Sequence, residues 1–401
     1  MTIKIAHITT IDLSLRYLLL NQLQSIQAAG YAVTGISAPG PDVSAVEAAG
    51  IRHLAVPMTR NFTPAADFKA LAQLVRLMRR ERFTIVHTHT PKPGLLGQLA
   101  ARIAGVPVVV NTLHGFYFHD GMQPLWRNFY IFTEKVAARC SDLILSQNAE
   151  DIATAVRTGI CEAGAIEYLG NGIDLRRFDR SRIAPATLTA LRQELQLDPQ
   201  RPVVGFVGRL VAEKGIHELL GAAQQLLAVR PETQFLLVGP IDHEKADAIT
   251  PAIAADYGVA HACTFAGLRQ DMPELYALMD LFVLPSHREG FPRSPMEASA
   301  MGVPCVVTDI RGCREAVYGG ENGLLTPLGD VTALAQALIG LLQTPAQAQA
   351  MGQAGRRLAE AQFDEELVFA KVKAAYQRLL AAKGIAPQRL AISRWPVGSR
   401  Q

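Results

Sequence analysis

The sequence predicts an α/β protein built from two doubly wound domains, and three observations support this. Short runs rich in β-branched residues alternate with helical patterns, which is typical of parallel sheets covered by helices on both faces. The alternation begins again near residue 202, after a charged segment. The chain has 401 residues, which is more than one ordinary hydrophobic core needs.

Two series of predicted strands define the domains. The first series has strands at 3–9, 31–37, 51–57, 84–89, 106–112 and 142–147, and a helix at 14–29. The second has strands at 202–209, 234–240, 262–267, 281–286 and 304–309, followed by helices to 383. We therefore assign 1–180 to an N-terminal domain and 181–383 to a C-terminal domain. The join falls in 175–200, and 384–401 is a loose tail.

Composition excludes several classes of protein. Apolar residues make up 49% and charged residues 19%, as in globular chains, and the net charge of +3 is too small to indicate nucleic-acid binding. The five cysteines include no C-x-x-C pair, which indicates reduced thiols rather than a metal site. No apolar stretch has the length of a signal peptide or a membrane span. We expect a cytoplasmic protein whose membrane contact is peripheral.

Two glutamates mark the most informative segment. Glu289 lies in the loop after the strand at 281–286, at the edge where such sheets bind ligands. Glu297 follows eight residues later. Carboxylates only accept hydrogen bonds and therefore suit the hydroxyls of sugars and ribose. Each has a structural alternative: Glu289 as a solvated loop residue, and Glu297 as part of a capping box with Ser294 as N-cap and Pro295 as the first helical residue.

The loop between the glutamates is a candidate phosphate site. A helix start follows it, where backbone N–H groups favour anions. The residues that would meet a phosphate are Gly290, Phe291, Pro292 and Arg293. One short segment would then hold a sugar, a diphosphate and a ribose in a row.

Two cations are expected beside this loop. Arg209 ends the first strand of the second series and Lys214 opens the next helix, so both fall at the carboxyl edge of the sheet. Cations there can neutralise a diphosphate leaving group, although two solvated surface cations are the alternative. No D-x-D-type acidic pair occupies a comparable loop, and no histidine or aspartate cluster has metal spacing. We expect chemistry that needs no metal.

The segment PSHREGFPRSPMEASAMGVPCVVTDIRGCREAV, at 285–317, resembles the E-x7-E segment of the retaining glycosyltransferases of family 4. That family has the GT-B fold, in which two Rossmann-like domains face each other across a cleft. The resemblance implies that Glu289 contacts the transferred sugar and Glu297 binds the nucleotide ribose. FVGRLVAEKG, at 206–215, is similar to the diphosphate-binding segment of the family, with Arg209 and Lys214 as its cations.

Other segments extend the resemblance. FAGLRQDMPELYALMD, at 265–280, is similar to the base-binding turn and places backbone groups near Leu268 against the nucleobase, commonly uracil. In NTLHGFYFHD, at 111–120, His114 takes the place of a functional histidine near sugar and acceptor, and His119 is a weaker candidate. A structural histidine is the alternative. The first strand lacks the glycine-rich turn of many relatives, and Ser14 and Arg16 are candidate replacements.

HTHTPKPGLLGQLAARIAGVPVVVNTLHGF, at 87–116, resembles a subset that extends sugars on polyprenyl-diphosphate carriers. The implied function is retaining, metal-independent transfer of a hexose, with an N-acetylhexosamine as one candidate. The donor would be a nucleotide sugar, UDP-linked, and the acceptor a hydroxyl of a polyprenyl-diphosphate-linked saccharide in surface polysaccharide or glycan assembly. The alternatives are a nucleotide-sugar epimerase and a non-enzymic two-domain sugar-binding protein.

A helix predicted at 67–83 is the candidate membrane contact. Its apolar face would contain Phe68, Leu71, Val75 and Met78, whereas Lys69, Arg76 and Arg80 fall on another face. We expect either an ordinary solvated helix or adhesion to anionic lipid at the inner face of a membrane.

Overall fold

The computed structural model describes residues 2–59, 62–119, 121–242, 245 and 247–385. The chain divides into two compact units. The first comprises Met1–Leu169 and Phe369–Gln401, and the second comprises Gly170–Val368. Each contains a parallel sheet with helices packed against it, as the alternation of strands and helices predicts.

The first unit contains a seven-stranded parallel sheet in the order β3-β2-β1-β4-β5-β6-β7. Its strands are β1 Lys4–Ile11, β2 Ala32–Ala38, β3 Arg52–Ala55, β4 Ile85–His89, β5 Val108–Leu113, β6 Leu143–Ser146 and β7 Ile166–Tyr168. Its helices are α1 Asp12–Ser14, α2 Leu20–Ala28, α3 Val43–Ala48, α4 Pro64–Glu81, α5 Pro91–Ala104, α6 Pro124–Ala138 and α7 Ala149–Arg157. A π-helical turn, Leu15–Leu19, joins α1 to α2.

The second unit contains a six-stranded parallel sheet in the order β10-β9-β8-β11-β12-β13. Its strands are β8 Val203–Val207, β9 Gln234–Val238, β10 Cys263–Gly267, β11 Leu281–Leu284, β12 Cys305–Thr308 and β13 Gly323–Thr326. Its helices are α8 Pro185–Glu194, α9 Ile216–Val229, α10 Ile253–Asp256, α11 Met272–Leu278, α12 Arg293–Ala300, α13 Cys313–Ala316, α14 Val331–Gln343 and α15 Pro345–Gln362. One more helix, α16 Glu365–Ala382, completes the described chain.

The sheet order fixes where a ligand can bind. In each sheet the chain first builds outward on one side and then crosses to the other, so a switch point lies between β1 and β4 and another between β8 and β11. Loops leave such a point in opposite directions at the carboxyl ends of the strands and open a crevice there. The segments that follow β8 and β11 are therefore the natural ligand site of the second unit.

The boundary between the units differs from the sequence prediction. The first unit ends at Leu169 rather than at 180, and residues 175–200 belong to the second unit. Arg180, for example, donates to the carbonyl of Ala277 at 3.0 Å. The last helix also changes unit, because residues from Phe369 onward return to the first. Lys371 there donates to the carbonyl of Leu169 at 2.9 Å.

The sequence could not reveal this return, since the helical pattern continues unbroken through the point where α16 changes its packing partner. From residue 386 on, the tail predicted at 384–401 lies outside the described residues. Within the described part of the chain, no helix combines the length and the hydropathy needed to cross a bilayer.

Candidate functional site

Two loops meet at the switch point of the second sheet. One follows β8 and the other follows β11. The amide of His287 donates to the carbonyl of Glu213 at 2.9 Å, which ties the loops together. Gly215 has a φ of 74°, and a Cβ there would lie 2.0 Å from the carbonyl oxygen of Pro285. Only glycine permits so close an approach.

An ion pair between Lys214 and Glu289 lies in this crevice. The Lys214 ammonium donates to Glu289 Oε1, and the two side chains are only 18% and 10% exposed. The contact confirms the expectation that the cation lies beside the loop. A carboxylate has about four lone-pair sites, so Glu289 can accept hydroxyl donors while the ammonium holds it in place.

Arg209 forms a second ion pair after β8. Its Nη1 lies 2.6 Å from Asp242 Oδ2, and its side chain is 39% exposed. A guanidinium carries five N–H donors in a fork that matches phosphate, so the pair with Asp242 leaves donors for a ligand. The sequence did not reveal Asp242, because it follows a different strand, β9, and no spacing connects it with Arg209.

The side chain of Glu297 is oriented by a hydrogen bond from Tyr276 and does not take part in capping a helix. Tyr276 donates its hydroxyl to Glu297 Oε2 at 2.9 Å. The helix begins at Arg293 after Pro292, without a side-chain cap, so the capping box with Ser294 as N-cap does not form. Burial raises the pKa of Glu297, whereas the charge of Arg293 and the Tyr276 hydrogen bond act in the opposite direction.

The loop from Gly290 to Arg293 has a narrower role than the sequence suggests. Phe291 is 7% exposed and packs edge-on against Phe363, with ring centroids 5.9 Å apart, so its side chain belongs to the core. Pro292 has no N–H and cannot donate to a phosphate. The roles of Gly290 and Arg293 at a phosphate stay predictions.

Asn171 supports this loop from a distance in the chain. Its Nδ2 donates to the carbonyl of Phe291 at 2.9 Å. The segment GNGID, at 170–174, has a plain Asn-Gly turn as its simplest interpretation. The structure gives it a more specific role, because the asparagine fixes the backbone beside Glu289.

Leu268 follows β10 at the same edge of the sheet. It is 65% exposed, which is unusual for a leucine, and Gly267 before it has a φ of 66°. The turn therefore presents its backbone and an apolar side chain outward, as a base-binding turn requires. The assignment of this turn to a nucleobase stays a prediction.

His114 follows β5 in the first unit. It belongs to a group of histidines that could not be recognised from the sequence. Its Nε2 lies 3.1 Å from His89 Nδ1, and its Nδ1 lies 3.0 Å from Gln147 Oε1. Burial lowers the pKa of His114 to about 4, so its imidazole is neutral at physiological pH. Both ring nitrogens already have partners, and the role taken from the family resemblance stays a prediction.

Three buried histidines from two strands lie together, although their spacing in the sequence does not indicate a metal site. His7, His87 and His89 bring ligand atoms within 4.8 Å of one another. His7 pairs with His87 across β1 and β4, so the group arises from strand register. The rings of His87 and His89 are stacked, however, with centroids 4.3 Å apart and planes at 22°. Lone pairs in nearly parallel planes do not converge on one ion, and the group fits a tetrahedral metal poorly.

The remaining acceptor-side candidates lie on two segments of the first unit, one after β1 and one after β5. Ser14 is buried in α1, and Arg16 is ion-paired with Asp42 at 2.6 Å. His119 is exposed in the segment after β5. The burial of Ser14 leaves little of its hydroxyl for a ligand, whereas Arg16 lies in the π-helical turn at the switch point of the first sheet. Their roles stay predictions.

Comparison with protein families identifies two regions of the chain. Residues 4–148 match the glycosyl transferase 4-like model, and residues 189–358 match the model of glycosyl transferases group 1. Among relatives, the UDP-Gal:alpha-D-GlcNAc-diphosphoundecaprenol alpha-1,3-galactosyltransferase of Escherichia coli is 33% identical over 294 residues, or 72% of this chain and 74% of the relative. The capsular polysaccharide biosynthesis glycosyltransferase CapM of Staphylococcus aureus is 26% identical over 391 residues, or 94% and 97%.

Solved structures agree with the fold. Anabaena HepE, crystallised with UDP and glucose, superposes with a TM-score of 0.80 at 22% identity over 94% of this chain and 100% of HepE. WaaG, a glycosyltransferase involved in lipopolysaccharide biosynthesis, gives 0.72 at 18% identity over 92% and 98%. The chain belongs to the glycosyltransferases of family 4 and has their GT-B fold.

Proposed function

We propose that this glycosyltransferase moves a hexose, with retention, from a UDP-linked sugar to a hydroxyl of a polyprenyl-diphosphate-linked saccharide during polysaccharide assembly. The observation that carries the proposal is the Lys214–Glu289 pair beside Arg209 at the switch point of the second sheet. The E. coli relative is named for a UDP-galactose donor and a diphosphoundecaprenol-linked acceptor. A Campylobacter jejuni relative, 26% identical over 71% of this chain and 74% of its own, is named for N-acetylgalactosamine transfer to a diphospho-undecaprenol acceptor.

Each residue of the site has a defined task in this reaction. Glu289 accepts hydrogen bonds from hydroxyls of the transferred sugar, and Glu297 accepts them from the ribose. Lys214 and Arg209 stabilise the charge that develops on the diphosphate as its bond to the anomeric carbon breaks. The acceptor oxygen bonds to the same face of that carbon. Its proton passes to the leaving phosphate, so that UDP and the extended saccharide are the products.

The two cations take the place that a divalent metal has in many phosphate-transfer sites. Both are fixed by carboxylates, Lys214 by Glu289 and Arg209 by Asp242, so little reorganisation is needed when the donor binds. We therefore expect transfer to continue at an unchanged rate in EDTA.

A donor panel tests the proposal. The protein is incubated with an N-acetylglucosaminyl diphosphoundecaprenol acceptor and one of UDP-galactose, UDP-glucose, UDP-N-acetylgalactosamine or GDP-mannose. We expect one UDP-sugar to give an extended lipid-linked product, with and without EDTA. A donor isomerised in the absence of acceptor would indicate an epimerase. Donor binding without any turnover would favour a sugar-binding protein.

An aromatic surface on the first unit is a better candidate membrane contact than the basic helix. On α4, Met78 is buried and Phe68 is 74% exposed, so the predicted apolar face is not a continuous exposed face. On α6, Leu125, Trp126 and Phe132 are 79%, 54% and 62% exposed. A group of exposed apolar side chains marks a binding surface. Tryptophan is enriched where proteins meet the membrane–water interface.

Neighbouring side chains extend this surface. The ring of Phe62 meets that of Phe129 edge-on with centroids 5.3 Å apart, and Trp126 meets Phe129 at 6.0 Å. Lys69 and Arg76 of α4 are exposed as well, so the basic face that the sequence predicts is open to solvent. We propose that this surface, defined by Phe62, Leu125, Trp126, Phe129 and Phe132, contacts the membrane that carries the acceptor.

Replacing Leu125 with glutamate should weaken binding to anionic vesicles about tenfold, because a charge would enter the apolar layer. Sedimentation with phosphatidylglycerol vesicles measures the loss. Leu328→Glu is the matched control, since Leu328 is 54% exposed on the second unit. Equal binding by Leu125→Glu and wild type, or an equal loss in Leu328→Glu, would contradict the assignment.

A further inference from the structure

Hydrogen bonds connect four histidines of the first unit, His7, His87, His89 and His114, into one series. From His114, Nδ1 reaches Gln147 Oε1 at 3.0 Å and Nε2 reaches His89 Nδ1 at 3.1 Å. His89 Nε2 in turn lies 3.0 Å from His7 Nδ1. His114 is partly exposed, whereas His7 and His89 are at most 1% exposed. A ligand would therefore reach this series through His114.

The chain continues inward through a tyrosine of α16. His7 Nε2 lies 3.2 Å from the Tyr376 hydroxyl, which also contacts His87 Nδ1 at 2.5 Å. His87 Nε2 ends the series at Thr112 Oγ1, 2.7 Å away. These four side chains are at most 3% exposed. Six hydrogen bonds thus link seven side chains, and both nitrogens of every imidazole are used.

The donor and acceptor of each hydrogen bond in the chain can be assigned by starting from Gln147. A neutral imidazole has one donor nitrogen and one acceptor nitrogen. Gln147 Oε1 only accepts, so His114 donates through Nδ1 and accepts through Nε2. The proton between His114 and His89 therefore belongs to His89 Nδ1. The same rule then places the proton of the next contact on His7 Nδ1.

The hydrogen bonds from His7 to Thr112 run in the same direction. His7 Nε2 must accept, so the Tyr376 hydroxyl donates to it and its oxygen accepts from His87 Nδ1. His87 Nε2 then accepts from the Thr112 hydroxyl. All four histidines carry their proton on Nδ1, and no contact in the chain brings two donors or two acceptors together.

Burial keeps the chain neutral. It lowers the pKa of His7 to about 3 and that of His114 to about 4, and it lowers the pKa values of His87 and His89 well below the ordinary value. An imidazolium would carry two donors and would break the alternation. At neutral pH the chain is uninterrupted.

We propose that Gln147 on one side, and on the other the imidazole chain formed by His114, His89, His7, Tyr376 and His87, together fix the tautomer and the ring orientation of His114. His89, His7 and Tyr376 are then positioning residues, because they act through His114 on whatever it contacts. The geometry of the chain stands by itself, and only its effect on transfer rests on the proposed function. The stacked arrangement of His87 and His89 favours hydrogen bonding over metal binding for these rings.

Nitrogen-15 NMR of protein labelled at histidine tests the chain directly, because the shifts of Nδ1 and Nε2 show which nitrogen carries the proton. The whole protein has 10 histidines, and single His→Gln variants assign their signals. In the wild type we expect His7, His87, His89 and His114 as neutral Nδ1–H forms. In Tyr376→Phe we expect mixed tautomers at His7 and His87, since His7 loses its donor and His87 its acceptor.

Tyr31→Phe is the matched control. Tyr31 is buried and its ring packs edge-on against Tyr376 with centroids 6.3 Å apart, but it is not a member of the chain. It should leave the histidine signals unchanged. If Tyr376→Phe does not fold, Thr112→Val removes the last donor instead and should give a mixture at His87.

The kinetic test uses UDP-galactose and the lipid-linked acceptor of the donor panel, or whichever UDP-sugar that panel identifies. Loss of the two hydrogen bonds of the Tyr376 hydroxyl should lower kcat of Tyr376→Phe about tenfold while KM for the donor stays unchanged. Nε2–H or mixed tautomers in the wild type, identical spectra for Tyr376→Phe and wild type, or a spectrum that changes with EDTA would overturn the proposal. Wild-type protein without transfer activity would instead overturn the proposed function, and the NMR result would still decide on the chain.

Discussion

Glu289→Gln should lose transfer while keeping its affinity for UDP. The amide preserves the shape of the side chain but removes the charge that accepts hydroxyl donors and pairs with Lys214. A hydrogen bond to a charged group contributes about 1.5–3 kcal/mol, so kcat should fall about 10- to 100-fold. Initial rates and calorimetric titration with UDP measure the two effects separately.

The control for this variant is Glu232→Gln. Glu232 precedes β9, at the amino edge of the same sheet, where its carboxylate is paired with Arg230 at 2.6 Å. The chemical change is identical but lies away from the switch point. Wild-type turnover in Glu289→Gln, or an equal loss in Glu232→Gln, would remove the basis for assigning Glu289 to the sugar.

Lys214→Met should produce the larger loss, and it should affect UDP binding as well. The ammonium is only 18% exposed and is fixed by Glu289, so a flexible neighbour cannot replace it. Removing one preorganised group that stabilises developing charge costs about 10²- to 10³-fold in rate. Because the same charge also meets the diphosphate before reaction, the affinity for UDP should fall with it.

The contrast between the two variants separates their tasks. A residue that binds the sugar spares UDP affinity, whereas a residue that binds the diphosphate does not. Lys214→Arg keeps the charge and should recover part of the UDP affinity, although guanidinium geometry differs from that of ammonium. Unchanged UDP affinity in Lys214→Met would show that the cation does not contact the diphosphate.

The sequence predicts the sheets well because buried parallel strands are continuous apolar runs bounded by turns. Eleven strands fall where these runs lie. Among the residues that the structure describes, the two strands missed by the prediction are β7, with the sequence IEY, and β13, with GLLT. One is only three residues long and the other begins at a glycine that follows a turn, so neither shows the pattern.

The site is only partly predictable for a related reason. Lys214 and Glu289 can be placed together because both follow strands of one predicted parallel sheet and so fall at its carboxyl edge. Tyr276 and Asp242 cannot, because their contacts with Glu297 and Arg209 depend on how side chains turn within the folded unit.

The buried histidines extend this limit to whole clusters. His7, His87 and His89 come together only through the register of β1 with β4. Nothing in the sequence of β1 or β4 indicates which of their residues lie opposite each other. The folded sheet shows this register directly. Tyr376 joins them from α16, more than two hundred residues away in the chain.

The anomeric configuration of the product tests the central claim most directly. Proton NMR of the saccharide formed from an α-linked UDP-sugar and the lipid-linked acceptor identifies the new linkage. Transfer on the face that the diphosphate leaves, assisted by Lys214 and Arg209, predicts an α-linked sugar with UDP released in equal amount. A β-linked product would contradict the account, because it requires attack on the face of the anomeric carbon opposite to the leaving diphosphate.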